Sequence, residues 1–207
     1  PVEMLKTYQW FLMYFSFTVT ASIVLLFGAQ MKLLAREFNV SRSYFSFLLV
    51  LFPIGNGLSR ILAGVVSDRF GRENTMVTFY SLLGMSILCL VLFGHEPALF
   101  ASLVVIAAVL GGAPLALYPA TIGDYYGSRH STTNYGITYT AKGWSGLISG
   151  WLTGYLVTQY GSYRPALVLV ALCSLLAGFV SNPRLLKRPW KKQPSCVSYA
   201  KGDSRLS

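Results

Sequence analysis

Six apolar runs separated by short polar turns constrain this 207-residue chain more than any other feature. They cover about 8–30, 44–66, 75–93, 98–122, 135–160 and 165–181. A helix rises ~1.5 Å per residue and a bilayer core is ~30 Å thick, so runs of this length read as membrane-spanning helices. Only 12% of the residues are charged, about half the fraction of a soluble domain. The expected fold class is therefore all-α, with six transmembrane helices over residues 1–183. A basic cytoplasmic tail, expected to be disordered, follows over 184–207. Pro53, Pro114, Pro119 and several glycines fall inside the runs. In a membrane, neighbouring helices satisfy the backbone groups that such residues free, and glycines let helices approach closely.

Six crossings put both ends on one side. The side that carries more Lys and Arg faces the cytoplasm. Lys6, Arg69, Arg72, Arg129 and the seven cations after Asn182 fall on one side, against Lys32, Arg36, Arg42 and Arg164 on the other. Both termini are expected in the cytoplasm, at a plasma or inner membrane. The net charge of +10 owes much to the tail. In this apolar context it reads as an inside-facing segment, and nucleic acid is not expected as a partner. Cys89, Cys173 and Cys196 have no metal-ligand or CxxC spacing, and His95 and His130 lie far apart in sequence. No metal site, cofactor or catalytic cluster is expected, and no phosphate loop, HExxH or GxSxG is present. The chain starts at Pro1, which suits a fragment or a trimmed chain.

Two cations remain inside the runs, Arg60 and Lys142. A charge within a span is costly and is by default a functional hypothesis. Arg60 precedes Asp68, in the cytoplasmic turn, by eight positions, and Lys142 follows Asn134 by eight. Each therefore lies roughly 12 Å in from the cytoplasmic end of its helix. No Asp or Glu falls within any run to pair with them. Either alone can snorkel to the surface. Two at matched depth point to an aqueous cavity for an anion. Arginine offers a planar fork to a carboxylate and lysine a compact charge. The expected substrate is a small mono- or dicarboxylate, with Tyr139 as a further candidate contact. Gly146, Gly150 and Gly154 recur every four residues, which suits close packing of one helix face.

The run Gly64–Arg72, GVVSDRFGR, resembles the loop signature of the major facilitator superfamily, G-x-x-x-D-[RK]-x-G-[RK]-[RK]. It departs at Glu73, where the signature has a base. NGLSRILAGVVSDRFGRENTM, PLALYPATIGDYYG and NYGITYTAKGWSGLISG resemble the C-terminal half of oxalate/formate antiporter-like members. The resemblance implies that the six runs match helices seven to twelve of twelve. It implies a partner half, either a missing N-terminal six-helix half or a second copy, with the substrate between the halves. It places the family's substrate-binding Arg and Lys on Arg60 and Lys142. It also implies that Gly64, Asp68, Arg69, Gly71 and Arg72 form a gating latch. In that reading Asp68 accepts from N–H groups at a helix start, and the arginines hold carboxylates or lipid phosphates. The aromatic cage of the oxalate carrier is absent from Leu110–Leu117 (LGGAPLAL), so a wider cavity and another carboxylate stay open. The functional expectation is alternating-access transport of small organic anions by exchange or symport. The alternative is a non-transporting receptor or interaction subunit of the same fold.

Overall fold

The computed structural model describes residues 2–187, and every regular element among them is helical. A short α1 (Val2–Leu5) leads into α2 (Tyr8–Glu37), α3 (Arg42–Phe70) and α4 (Arg72–Phe93). The fourth run is divided into α5 (Pro97–Gly111) and α6 (Pro114–Tyr126). The fifth is divided into α7 (Ser131–Tyr139), α8 (Ala141–Leu147), a π turn (Ile148–Leu152) and α9 (Thr153–Tyr160), and the last helix is α10 (Arg164–Val180). Four stretches are long and apolar enough to cross a membrane: Tyr8–Glu37, Arg42–Phe70, Arg72–Phe93 and the run Pro97–Tyr126. At 17 residues, α10 is a shorter apolar helix.

Side-chain contacts define two ends of the bundle. At one end Thr7 Oγ1 meets Tyr126 OH at 2.7 Å, and Tyr8 OH donates to the Leu185 carbonyl at 3.1 Å. Arg72 pairs with Asp124 at 2.6 Å beside them, and Tyr125 OH donates to Glu73 at 2.8 Å. The start of α2, the α3–α4 turn, the end of α6 and residues 185–187 therefore share this end. At the other end Glu37 accepts from the Ser162 hydroxyl and, at 2.8 Å, from the Tyr163 N–H. Arg164 reaches His95 at 3.0 Å and lies over the Phe38 ring. Glu37 thus binds the backbone at the start of α10, where a helix has free donors and favours negative charge.

The tail begins later than expected. Residues 184–187 are seated on the bundle, because Leu186 is 2% exposed and Gln9 Nε2 donates to the Lys187 carbonyl at 3.0 Å. An apolar side chain that fills a gap between helix ends, with its flanking carbonyls bonded, has no reason to remain free. The rest of the expected basic tail, from Arg188 onward, lies outside the described residues.

Apolar contact alone gives helices little reason to associate in lipid, so small residues and hydrogen bonds do much of that work. A polar ladder runs along α2. Trp10 Nε1 donates to Thr138 Oγ1 at 3.1 Å, Tyr14 OH meets Thr140 Oγ1 at 3.0 Å, and Ser145 Oγ donates to the Thr18 carbonyl at 2.8 Å. The partners rise together in sequence, so α2 and the α7–α8 segment run parallel. On the far side α10 packs antiparallel on α4, with Ser174 Oγ donating to the Tyr80 carbonyl at 2.8 Å. In contrast, α3 buries only 22% of its apolar window, against 44–56% for the other long stretches. Phe47, Val50, Ile54, Leu58, Ile61 and Val65 line its bare side.

Candidate functional site

Two interruptions in the helices meet at one place. Pro114 has no N–H, and the chain between α5 and α6 tightens, with Leu115 N bonding the Gly112 carbonyl and Ala116 N the Ala113 carbonyl. At the joint between α7 and α8, Gly143 N bonds the Thr140 carbonyl at 2.9 Å instead of continuing the regular pattern. Irregular backbone at membrane depth is tolerated where it is buried in protein or lines a cavity. Here a cavity of about 110 Å³ lies against it, lined by Phe17, Asn56, Arg60, Gly112, Pro114 and Lys142 among others. Non-helical turns and π turns in helices recur at functional sites.

The two cations placed at matched depth by sequence spacing therefore share one cavity. Arg60 comes from α3 and Lys142 from the first turn of α8. No Asp or Glu lines the cavity, and neither cation forms an ion pair among the described residues. Lys142 Nζ donates to Tyr139 OH at 3.1 Å and sits 5.4 Å from the centre of that ring. Tyr139 is not among the lining residues, so its contact is with Lys142. Its ring also approaches Phe17, at 6.0 Å between centres, and Phe17 stacks on Tyr118 at 4.7 Å. This row of rings backs the cation end. Arg60 is exposed and Lys142 half-buried, and an uncompensated pair of cations beside an open space attracts an anion.

Phe17 and Asn56 were missed by sequence reasoning. Phe17 is one of several aromatic residues in α2 and nothing in the sequence marks it. Asn56 carries a signal, since it precedes Arg60 by one helical turn and so shares its face.

The loop motif closes the end of α3. Gly71 caps the helix at φ 86°, a left-handed-side conformation that suits glycine. Arg72 binds the Asp124 carboxylate, which ties the motif to the end of α6. Asp68 and Arg69 are exposed and make no hydrogen bond or ion pair among the described residues, and Gly64 has open space around it. Gly146, Gly150 and Gly154 also face open space, where an added Cβ would meet nothing within 4 Å. Among the described residues no helix packs against this face. No group of His, Cys, Asp and Glu among those residues could hold a metal ion.

The helical build, the four spanning-length stretches and the cation-lined cavity define a multi-pass membrane protein. The sequence matches the Major Facilitator Superfamily over residues 10–197, and the chain belongs to that superfamily. This is a family of transport proteins rather than enzymes. The chain is 29% identical to the oxalate:formate antiporter of Oxalobacter formigenes over 92% of its length and 46% of that protein's. It is 27% identical to monocarboxylate transporter 12 of Xenopus laevis, covering 72% of this chain and 34% of that one. It is 22% identical to the gallate transporter of Pseudomonas putida, covering 76% of this chain and 35% of that one. The chain thus spans at most about half the length of these curated relatives. The oxalate/formate antiporter-like resemblance seen in the motifs is borne out.

Proposed function

We propose that this chain is the C-terminal six-crossing half of an alternating-access carrier for small organic anions, mono- or dicarboxylates, working by exchange or symport. The observation that carries the reading is the cavity shared by Arg60 and Lys142 with no acid to neutralise them. The oxalate, monocarboxylate and gallate named for three relatives all fit such a pair of cations. Arg60 grips the carboxylate with its fork. Lys142 supplies the second charge, and Tyr139 positions it. Six crossings are supported by the two clustered ends, which collect alternate turns of the chain. The bare side of α3 and the open glycine face of α8–α9 leave room for a partner half, missing from this chain or supplied by a second copy. Both termini lie in the cytoplasm of a plasma or inner membrane, as the basic residues near them favour. Asp68 and Arg69, free in this half, act in a latch whose counterpart is that partner.

Full-length protein in proteoliposomes, loaded with unlabelled carboxylate, is expected to accumulate labelled oxalate, formate or a related anion. Arg60→Lys keeps the charge and loses the fork, so uptake should fall at least tenfold. Wild-type uptake by that variant would refute bidentate recognition. Carboxylate binding without flux in the unaltered protein would favour the receptor reading.

A further inference from the structure

Asn56 stands between two spaces. On one side is the cation cavity. On the other, between α2 and α3, is a groove of about 490 Å³ lined by Val24, Leu25, Leu48, Phe52 and Pro53 together with Asn56. Val24 and Leu25, like Asn56, line both spaces, so the two adjoin at these residues. No charged residue lines the groove. The Asn56 side-chain nitrogen is buried and has no hydrogen-bond partner. A buried donor left unpaired is costly, so each instance in a folded protein calls for an explanation.

These features restrict what an anion held by Arg60 and Lys142 looks like beyond its carboxylate. An anion as small as oxalate can offer Asn56 an acceptor through its second carboxylate, but it leaves the groove empty. A longer dicarboxylate directs its second charge into an apolar groove, where an unpaired charge is strongly disfavoured. A monocarboxylate with an apolar body fills the groove without that cost. An acceptor oxygen next to its carboxylate also satisfies the Asn56 donor. We infer that Asn56 is a specificity-determining residue, and that the groove is the subsite for the apolar body of a 2-oxo or 2-hydroxy monocarboxylate. This rests on the anion reading of Arg60 and Lys142 above.

The test is binding to full-length protein in detergent, read by calorimetry, with acetate, butyrate, hexanoate, 2-oxobutyrate, oxalate and succinate as probes. Affinity should rise about fourfold for each added CH₂ from acetate until the groove is filled. 2-Oxobutyrate should bind about tenfold better than butyrate. Asn56→Leu should erase the preference for the oxo acid. Gly28→Leu fills the groove from α2, where an added side chain meets open space, and should flatten the chain-length series. If oxalate and succinate bind better than every monocarboxylate, or affinity is flat from acetate to hexanoate, the inference is overturned. The groove is then the seat of another helix of the full-length protein, and the anion site itself stands. If none of the probes binds, the anion reading fails, and this inference fails with it.

Discussion

Replacing Lys142 by Gln in the full-length protein is expected to abolish carboxylate flux while leaving the fold intact. Glutamine removes the charge while leaving a polar, uncharged side chain one atom shorter. Lys142 makes no ion pair among the described residues, so its neutralisation strands no buried counter-charge. Its contacts with Tyr139, at 3.1 Å to the hydroxyl and 5.4 Å to the ring centre, hold it at the joint between α7 and α8. Truncating one partner of a close, desolvated charge pair typically costs about 2–5 kcal/mol. At about 1.4 kcal/mol per decade, affinity should fall between roughly thirtyfold and several thousandfold. Flux at micromolar substrate should become undetectable, with the elution profile and melting midpoint unchanged. Normal flux in that variant would remove Lys142 from the site.

The second large effect is structural. A Cβ on Gly112 would lie 2.5 Å from the Asn56 carbonyl oxygen and 2.9 Å from Ser59 Cβ. The first of these atoms is backbone of α3, which cannot yield by a change of rotamer. Gly112→Val must therefore push α3 away from the α5–α6 break. Overpacking of this kind costs about 1–3 kcal/mol. The displaced part of α3 carries Asn56 and Arg60, so carboxylate affinity should fall together with the melting midpoint. Gly123→Ala in α6 is the control, because its Cβ meets nothing within 4 Å and alanine favours a helix by about 1 kcal/mol over glycine. That variant should be neutral or slightly more stable. Equal damage from both substitutions would show that the Gly112 contact has no special role.

The helical build was legible because apolar runs of spanning length allow little else. The pairing of Arg60 with Lys142 was legible through rise per residue alone, since two helices of opposite direction bring equal offsets to equal depth. Other parts depend on tertiary contact that no local pattern encodes. The fifth run contains no proline, so nothing in it announced the joint at Thr140 or the π turn at Ile148–Leu152. Its glycine spacing suggested helix packing, yet Gly146, Gly150 and Gly154 meet no helix among the described residues. The aromatic side of the cavity comes from Phe17 on α2, where a phenylalanine looks like any other apolar residue. Leu186 sits in a stretch whose charge suggested a free tail, and one buried side chain is too weak a signal to be read from composition.

The account turns on Arg60 and Lys142 acting on one anion. A double-mutant cycle measures this directly, with carboxylate affinity determined by calorimetry for the full-length protein, Arg60→Gln, Lys142→Gln and the double variant. Groups that share a ligand are coupled, by roughly 0.5–3 kcal/mol. The expected result is that each single substitution costs nearly as much affinity as the double. Strictly additive losses, or a single variant that binds as well as the unaltered protein, would contradict the account.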